Sequence, residues 1–305
     1  MRVGVTGSSG FIGSALVSAL EERGDVVVRF VRPDSARVDA AAIRWEPSKG
    51  LVDENDLRTN GGFDAVVNLA GAGIADGRWS STRKDAIRTS RLDATTLLVR
   101  VLRASSDTSF LASGSAIGIY GSRGDETLDE TSSVGDDFLA QVCVQWEQTT
   151  KVLSDAGSSV AHLRTGIVLS RGGGVLRKQL PLFRLAVGGP IGPGDQWLSP
   201  ISLRDEVRAI LWLLDHHLSG AFNLVAPCAL TNRAFSTALG HQLHRPSKVR
   251  VPAAAVRVAF GPELADATVL ASQRVVPSAL LASGFNFESP DIMSILAAAS
   301  LTPGR

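Results

Sequence analysis

Residues 6–13 read Thr-Gly-Ser-Ser-Gly-Phe-Ile-Gly, so Gly7, Gly10 and Gly13 follow an apolar run (2–6) and lead into a segment of helical period (11–23). Glycines spaced this way at a strand-to-helix turn suit a phosphate. Gly7 permits the turn, Gly10 lets backbone N–H groups approach a pyrophosphate, and Gly13 lets the helix pack closely on the strand. The anion then meets the positive end of the helix dipole. Spaced glycines alone are a weak sign, but between a strand and a helix at the opening of the chain they point to a dinucleotide. The residue that reads the adenosine ribose is expected about 20 residues further on. There the chain reads Val-Val-Val-Arg-Phe-Val-Arg-Pro-Asp over 26–34, with Val31 where an acid would select NAD, and Arg32 next. A carboxylate would repel a 2′-phosphate, whereas a guanidinium binds it through a forked, charge-assisted pair. The expected cofactor is therefore NADP(H). The alternative leaves Arg32 as a solvated strand end and gives the ribose to Asp34.

These residues need a sheet to carry them. Short runs at 2–6, 26–31, 64–69, 109–113 and 160–164 predict strands, the central ones continuously apolar as in strands buried on both faces. Segments 11–23, 82–104 and 137–156 predict helices between them. The fold class is α/β, a Rossmann-type doubly wound parallel sheet. On the helix 82–104, Lys84, Arg88 and Arg91 form a basic stripe about one turn apart, either a solvated flank or a surface turned to an anionic ligand. After residue 170 Gly/Pro punctuation sets in, followed by the strongly helical Asp-Glu-Val-Arg-Ala-Ile-Leu-Trp-Leu-Leu-Asp run (205–215), a strand at 222–226 and a helix at 232–243. The expected organisation is a cofactor domain over 1–170, receiving 200–226 as well, and a smaller C-terminal α/β substrate domain over 171–305.

Composition narrows the function class. Thirty-one Lys+Arg against 30 Asp+Glu leave a formal charge of +1, so no overall field recruits nucleic acid or anionic lipid, and neither partner is expected. Cys143 and Cys228 make no disulfide framework, and no Cys/His spacing fits a zinc site, so no metal is expected. No apolar stretch of about 18 residues spans a bilayer, and no secretory signal opens the chain. These readings predict a cytoplasmic protein that handles small molecules. Cys143, beside Val142 and Val144, reads as an inert small hydrophobe, and His216 and His217 as a helix end meeting the carboxyl-end dipole.

The segments TGSSGFIG (6–13), VVNLAGAGI (66–74), SGSAIGIYG (113–121), LRTGIVLS (163–170) and TNRAF (231–235) resemble, in order, the landmarks of the extended short-chain dehydrogenases/reductases, the nucleotide-sugar epimerase group. GRWSSTRKDAIRTSR, GDDFLAQVCVQWE, GGPIGPGDQWLSPI and LASQRVVPSALLASGFNF narrow the resemblance to an atypical "epimerase family" branch. Some members of that branch are labelled sugar-nucleotide epimerases and some cell-division inhibitors. The likeness covers nearly the whole chain, including a C-terminal domain of unknown function at about 248–300. It implies that Gly7, Ser8, Gly10, Phe11, Ile12 and Gly13 hold the phosphates and that Arg32 reads the ribose. Leu69, Ala70 and Gly71 would pass beneath the adenine side, and Thr165, Gly166 and Ile167 would approach the nicotinamide. Ser115 matches the active-site serine, and a homodimer through paired helices is implied.

One departure outweighs these matches. Active members carry a Tyr and a Lys four residues apart on a helix, the Lys lowering the phenol's pKa for proton exchange. With Glu147 matched to the family's helix Glu, Leu139 falls at the Tyr position and Cys143 at the Lys position, and the family's supporting Asn falls at Asp93. Three groups are candidates to substitute: Ser115 to orient a carbonyl, Tyr120 as an acid, and Asp93 as a relay from solvent. For Tyr120 the alternative is a structural role in its loop, and for Asp93 a surface or hydrogen-bonding role. The substrate pocket is expected at the sheet's carboxyl edge, among Arg78, Trp79, Arg177, Lys178, Gln196 and Trp197, a set suited to an anionic small molecule. Two functions follow: an NADP(H)-dependent oxidoreductase or epimerase-like enzyme with a non-standard acid, or a catalytically silent NADP(H) sensor.

Overall fold

A computed structural model describes residues 1–35, 41–104 and 110–301. The chain begins with β1 (Arg2–Thr6), α1 (Phe11–Glu22), β2 (Val26–Val31), β3 (Ala42–Glu46), β4 (Leu51–Val52), α2 (Glu54–Asn60) and β5 (Ala65–Asn68). It continues through α3 (Ser81–Ala104), β6 (Phe110–Ala116) and α4 (Phe138–Thr149). Strands Ser159–Thr165 and Gly220–Leu224 complete an eight-stranded sheet, in the order Gly220–Leu224, Ser159–Thr165, β6, β5, β1, β2, β3, β4. All neighbours run parallel except the antiparallel β3–β4 pair. The order reverses at β1, so the crevice of an open α/β sheet opens at the carboxyl ends of β1 and β5.

Alternation along the strands sends successive side chains to opposite faces, and helices bury both. Val3, Val5, Ala65 and Val67 join Leu16 and Leu20 of α1 and Ile210 and Leu213 of the helix Leu203–Asp215. Val28, Phe30, Val66 and Leu111 join Leu98 and Leu102 of α3 on the other side. Because Gly220–Leu224 and its preceding helix close the sheet's far edge, residues 200–226 sit with the first 170 in space. A third cluster (Leu176, Leu180, Phe183, Phe235, Leu239, Ile295, Leu296) forms the core of the smaller C-terminal part.

Two elements escape the sequence pattern. β3 is a short strand inside a polar stretch, and the helix Gly174–Arg184 starts in a glycine run and contains Pro181. Packing of Leu176, Leu180 and Phe183 against the helix Asn232–Gln242 outweighs those local breakers. Of the expected strand 109–113, Ser109 lies outside the described residues, and β6 runs on to Ala116. Among the described residues no helix is long and apolar enough to cross a membrane.

Candidate functional site

The turn between β1 and α1 is built for glycine. Gly7 has φ +63°, and a Cβ there would lie 2.5 Å from the Leu69 carbonyl oxygen. A Cβ on Gly13 would lie 2.1 Å from the Gly7 oxygen, so helix and turn pack backbone to backbone. The Gly10 N–H donates to the Gly7 carbonyl at 2.9 Å, and no side chain caps α1. The first-turn N–H groups of Phe11, Ile12 and Gly13 therefore have no intrahelical acceptor, which is an anion seat. Ser8 lies within the same turn. The Phe11 ring fills the space over Gly173, where a Cβ would come within 2.4 Å of it. At the end of β2, Val31 is half-buried, and Arg32 and Asp34 stand exposed on a turn closed by the Ser35 N–H on the Arg32 carbonyl.

The carboxyl end of β5 is tied to its neighbours by a buried polar chain. Leu69 and Ala70 donate their N–H groups to Thr6 Oγ1 (3.1 Å each), which donates to Asn68 Oδ1 at 2.7 Å. Asn68 Nδ2 and Trp146 Nε1 both donate to Thr95 Oγ1 at 2.9 Å. The chain thus locks β1, β5, α3 and α4 together beneath the crevice. Gly114 makes room for the Trp146 ring, since a Cβ there would lie 2.8 Å from it.

A second network stands behind Ser115. Ser115 Oγ donates to Glu147 Oε1 at 2.7 Å, and Arg164 clasps both carboxylate oxygens from Nε and Nη2 at 2.9 Å. Arg164 Nη1 also donates to the Tyr120 hydroxyl (2.9 Å), which in turn donates to Asn223 Oδ1 at 2.7 Å. Burial works against the Glu147 carboxylate, yet Arg164 outweighs it and holds the pKa below the usual range. Burial pushes the Tyr120 phenol above its ordinary pKa, with Arg164 opposing.

Tyr120, a candidate acid with a structural role as the alternative, is 0% exposed, and its hydroxyl is enclosed by Arg164 and Asn223, so it braces the wall behind Ser115. Asp93 is also misplaced as a relay. Arg91 and Thr95 mark the face of α3 turned to Gly71, Asn68 and Trp146, and Asp93, two residues from each, points to roughly the opposite side of the helix. On the first of these faces it is Arg91 that approaches Gly71 at the end of β5. It donates from Nη1 to the Ala72 (3.0 Å) and Ile87 (2.9 Å) carbonyls and lies against the Trp146 ring.

Leu139 and Cys143, at the Tyr and Lys positions, are both buried. Burial pushes the Cys143 thiol up to about 12, with Arg91 opposing, so at neutral pH it is no base or nucleophile. Thr165 Oγ1 donates to Glu206 Oε1 at 2.7 Å; Glu206 is fully buried, and burial pushes its carboxyl up to about 8. Gly166 has no room for a side chain, with Val225 and the Ser199 carbonyl within 2.6 Å of a Cβ, and the Ile167 N–H donates to that carbonyl at 3.0 Å.

The glycine turn, Leu69–Gly71, Ser115 and Thr165–Ile167 thus line up at the carboxyl ends of four adjacent strands. The expected pocket residues divide. Trp79 packs edge-on to Phe138 of α4, Lys178 donates to the Ala75 carbonyl (3.1 Å) beside the Phe260 ring, and Arg78 donates to the Val258 carbonyl. These contacts tie the loop after β5 to α4, to the helix Gly174–Arg184 and, through Arg78, to the C-terminal segment, to which the Lys84–Glu263 ion pair (2.7 Å) also fastens the start of α3. Gln196 is buried on backbone carbonyls and Trp197 stacks under Arg274, so both are structural; Arg177 is exposed. His216 stacks on Trp212, and among the described residues no cluster could hold a metal. The sequence reading placed Arg91 only in a basic stripe and used Glu147 only to set the helix register, and it gave Arg164 and Glu206 no role. A charged residue inside an apolar strand (Arg164) or on an apolar helix (Glu206) was the available signal.

Residues 3–224 match the NAD dependent epimerase/dehydratase family, and residues 251–299 match a domain of unknown function, DUF1731. An epimerase family protein of Mycobacterium bovis is 42% identical over 303 residues, 99% of this chain and 98% of that one. The human epimerase family protein SDR39U1, solved with NADPH, superposes with a TM-score of 0.87 at 32% identity, covering 98% of this chain and 99% of its own. The Thermus thermophilus UDP-glucose 4-epimerase, solved with NAD, gives 0.75 at 20% identity, covers 98% and 99% of the two chains, and is similar in fold.

Proposed function

Since this chain belongs to the NAD dependent epimerase/dehydratase family, we propose that it binds NADP(H) at the β1–α1 turn and acts, as an oxidoreductase or epimerase-like protein, on an anionic small molecule. The observation that carries this reading is the uncapped amino end of α1 over a turn in which Cβ atoms on Gly7 and Gly13 would strike backbone. That cradle suits the diphosphate of a nucleotide. Arg32, with no carboxylate at Val31, favours a nucleotide bearing a 2′-phosphate. The human relative solved with NADPH supports the same choice.

Bound there, the nucleotide would supply hydride chemistry. The residues at hand bind and orient: Gly7, Gly10 and Gly13 by backbone approach, and Thr165–Ile167 by shaping the far wall. Ser115 Oγ stands beside Glu147, whose carboxylate stays ionised under Arg164. With its O–H committed to that carboxylate, Ser115 Oγ is left to accept a hydrogen bond from a substrate hydroxyl and so to orient it. The buried Leu139 and Cys143 favour a second reading, an NADP(H) sensor without turnover.

Fluorescence titration with NADPH and NADH tests the binding reading, with NADPH expected to bind at least about tenfold more tightly. Absence of binding by either at millimolar concentration overturns it. Stopped-flow mixing with UDP-sugars and small ketones then separates the two readings. Net NADPH oxidation, or formation of the epimeric UDP-sugar without it, marks the enzyme, and tight binding with neither marks the sensor.

A further inference from the structure

Of the two α3 cations around the crevice that no carboxylate pairs among the described residues, Arg88 and Arg91, it is Arg91 that reaches the end of β5. Glu147 and Arg164 neutralise one another, Lys84 is paired with Glu263, and Arg83 reaches both the Gly73 carbonyl and Asp76 (3.3 Å). Arg88, one turn away, lies over the Phe138 ring; among the described residues it too has no carboxylate partner, and its Nε is buried without a hydrogen bond. Among the described residues Arg91 has no carboxylate partner, and its Nε and Nη2 meet no protein acceptor, whereas Nη1 is fixed on the Ala72 and Ile87 carbonyls. Its guanidinium is pressed against Gly71, where a Cβ would come within 3.2 Å of Cζ, at the carboxyl end of β5. Burial lowers its pKa, but a guanidinium stays charged at any physiological pH. The one titratable group whose charge would offset it, Cys143, is a neutral thiol.

The sheet order fixes which half of a dinucleotide this charge would meet. If the adenosine lies over β2 and the diphosphate over α1, the nicotinamide half extends the other way, over β5 and β6, where Arg91 and Ser115 stand; Leu69–Gly71 then lie under that half and not beneath the adenine side that the resemblance implies. The oxidised ring is a cation and the reduced ring is neutral. An uncompensated guanidinium in a partly dry crevice repels the first and is indifferent to the second.

Resting on the NADP(H) reading above, we propose that Arg91 is a specificity-determining residue that makes this site hold the reduced nucleotide in preference to the oxidised one. It also supplies, from α3, a positive charge that α4 lacks at Cys143.

The test is equilibrium binding of NADPH, NADP⁺ and adenosine 2′,5′-bisphosphate, which lacks the nicotinamide half, to the full chain and to Arg91→Met and Arg91→Lys. The wild-type protein is expected to favour NADPH over NADP⁺ by about tenfold or more, a ratio that Arg91→Lys keeps and Arg91→Met lowers about tenfold. Affinity for the bisphosphate stays unchanged in all three. An unchanged ratio in an Arg91→Met protein that still binds the bisphosphate overturns the proposal. Equal wild-type affinity for the two redox forms does so as well, even if Arg91→Met fails to fold. A wild-type protein that binds none of the three instead overturns the NADP(H) reading itself.

Discussion

Arg164 meets Glu147 as a two-pronged pair, Nε to Oε1 and Nη2 to Oε2 at 2.9 Å, with both side chains almost wholly withdrawn from solvent. Ser115 hangs from the same carboxylate, so the pair fixes the serine's rotamer and the direction of its oxygen. Removing one partner strands the other's charge in a dry wall, which costs about 3–5 kcal/mol, whereas removing both together costs much less. Arg164→Met is therefore expected to lower the urea midpoint sharply, and Arg164→Met with Glu147→Gln to regain most of the loss. Equal loss in the single and double variants would contradict the pairing.

At the β2 end, Arg32→Ala removes the charge offered to a 2′-phosphate. A charge-assisted pair contributes about 1.5–3 kcal/mol, so NADPH affinity is expected to fall roughly 10- to 100-fold while NADH affinity holds. Competitive titration of the two nucleotides checks this. A parallel drop for both would mean that Arg32 supports the turn and reads no phosphate.

Gly13→Ala sets a methyl group against the Gly7 carbonyl, 2.1 Å away in the present backbone. Since the obstacle is backbone, the turn must open. A loss on the order of 2 kcal/mol in stability is expected, along with at least about a tenfold loss of NADPH affinity. Gly24→Ala serves as the control: unlike Gly13 it has positive φ, and nothing lies within 4 Å of its Cβ position. It should lose some stability through backbone strain while leaving NADPH affinity intact.

The glycine turn between β1 and α1 is legible in the sequence because it rests on local rules. Gly7, Gly10 and Gly13 fall at fixed offsets from a strand, and backbone conformation alone gives them meaning. The rest of the site depends on packing between elements far apart in the chain. Whether Arg91 or Asp93 faces the crevice is a matter of two residues on a helix, decided by where Thr95 meets Asn68 and Trp146. Tyr120 illustrates the same limit. Its place after SGSAIG suggests a loop at the active site, yet strand Ser159–Thr165 brings Arg164 beneath it and turns the phenol into a core hydrogen-bonding group. The helix Gly174–Arg184 hides behind its glycines and Pro181, because the apolar face it presents to the C-terminal core outweighs weak local propensity.

Glu206 gives the protein a pH dependence of defined sign. Its carboxyl is fully buried on the helix Leu203–Asp215, Oε1 accepts from Thr165 and Oε2 has no partner among the described residues, and burial raises its pKa to about 8. In the unfolded chain the same group titrates near 4.3. Below that value both states are protonated and the group makes no difference. As pH rises from about 4.3 to about 8 the unfolded chain releases a proton that the native state keeps, so unfolding becomes progressively more favourable. Above about 8 both states are ionised, and the loss is complete, on the order of 2–5 kcal/mol. Glu206→Gln keeps an acceptor for Thr165 and cannot ionise. Its urea midpoint should match the wild type near pH 4.5 and exceed it near pH 8. Parallel curves for the two proteins over that range would show that Glu206 ionises with an ordinary pKa.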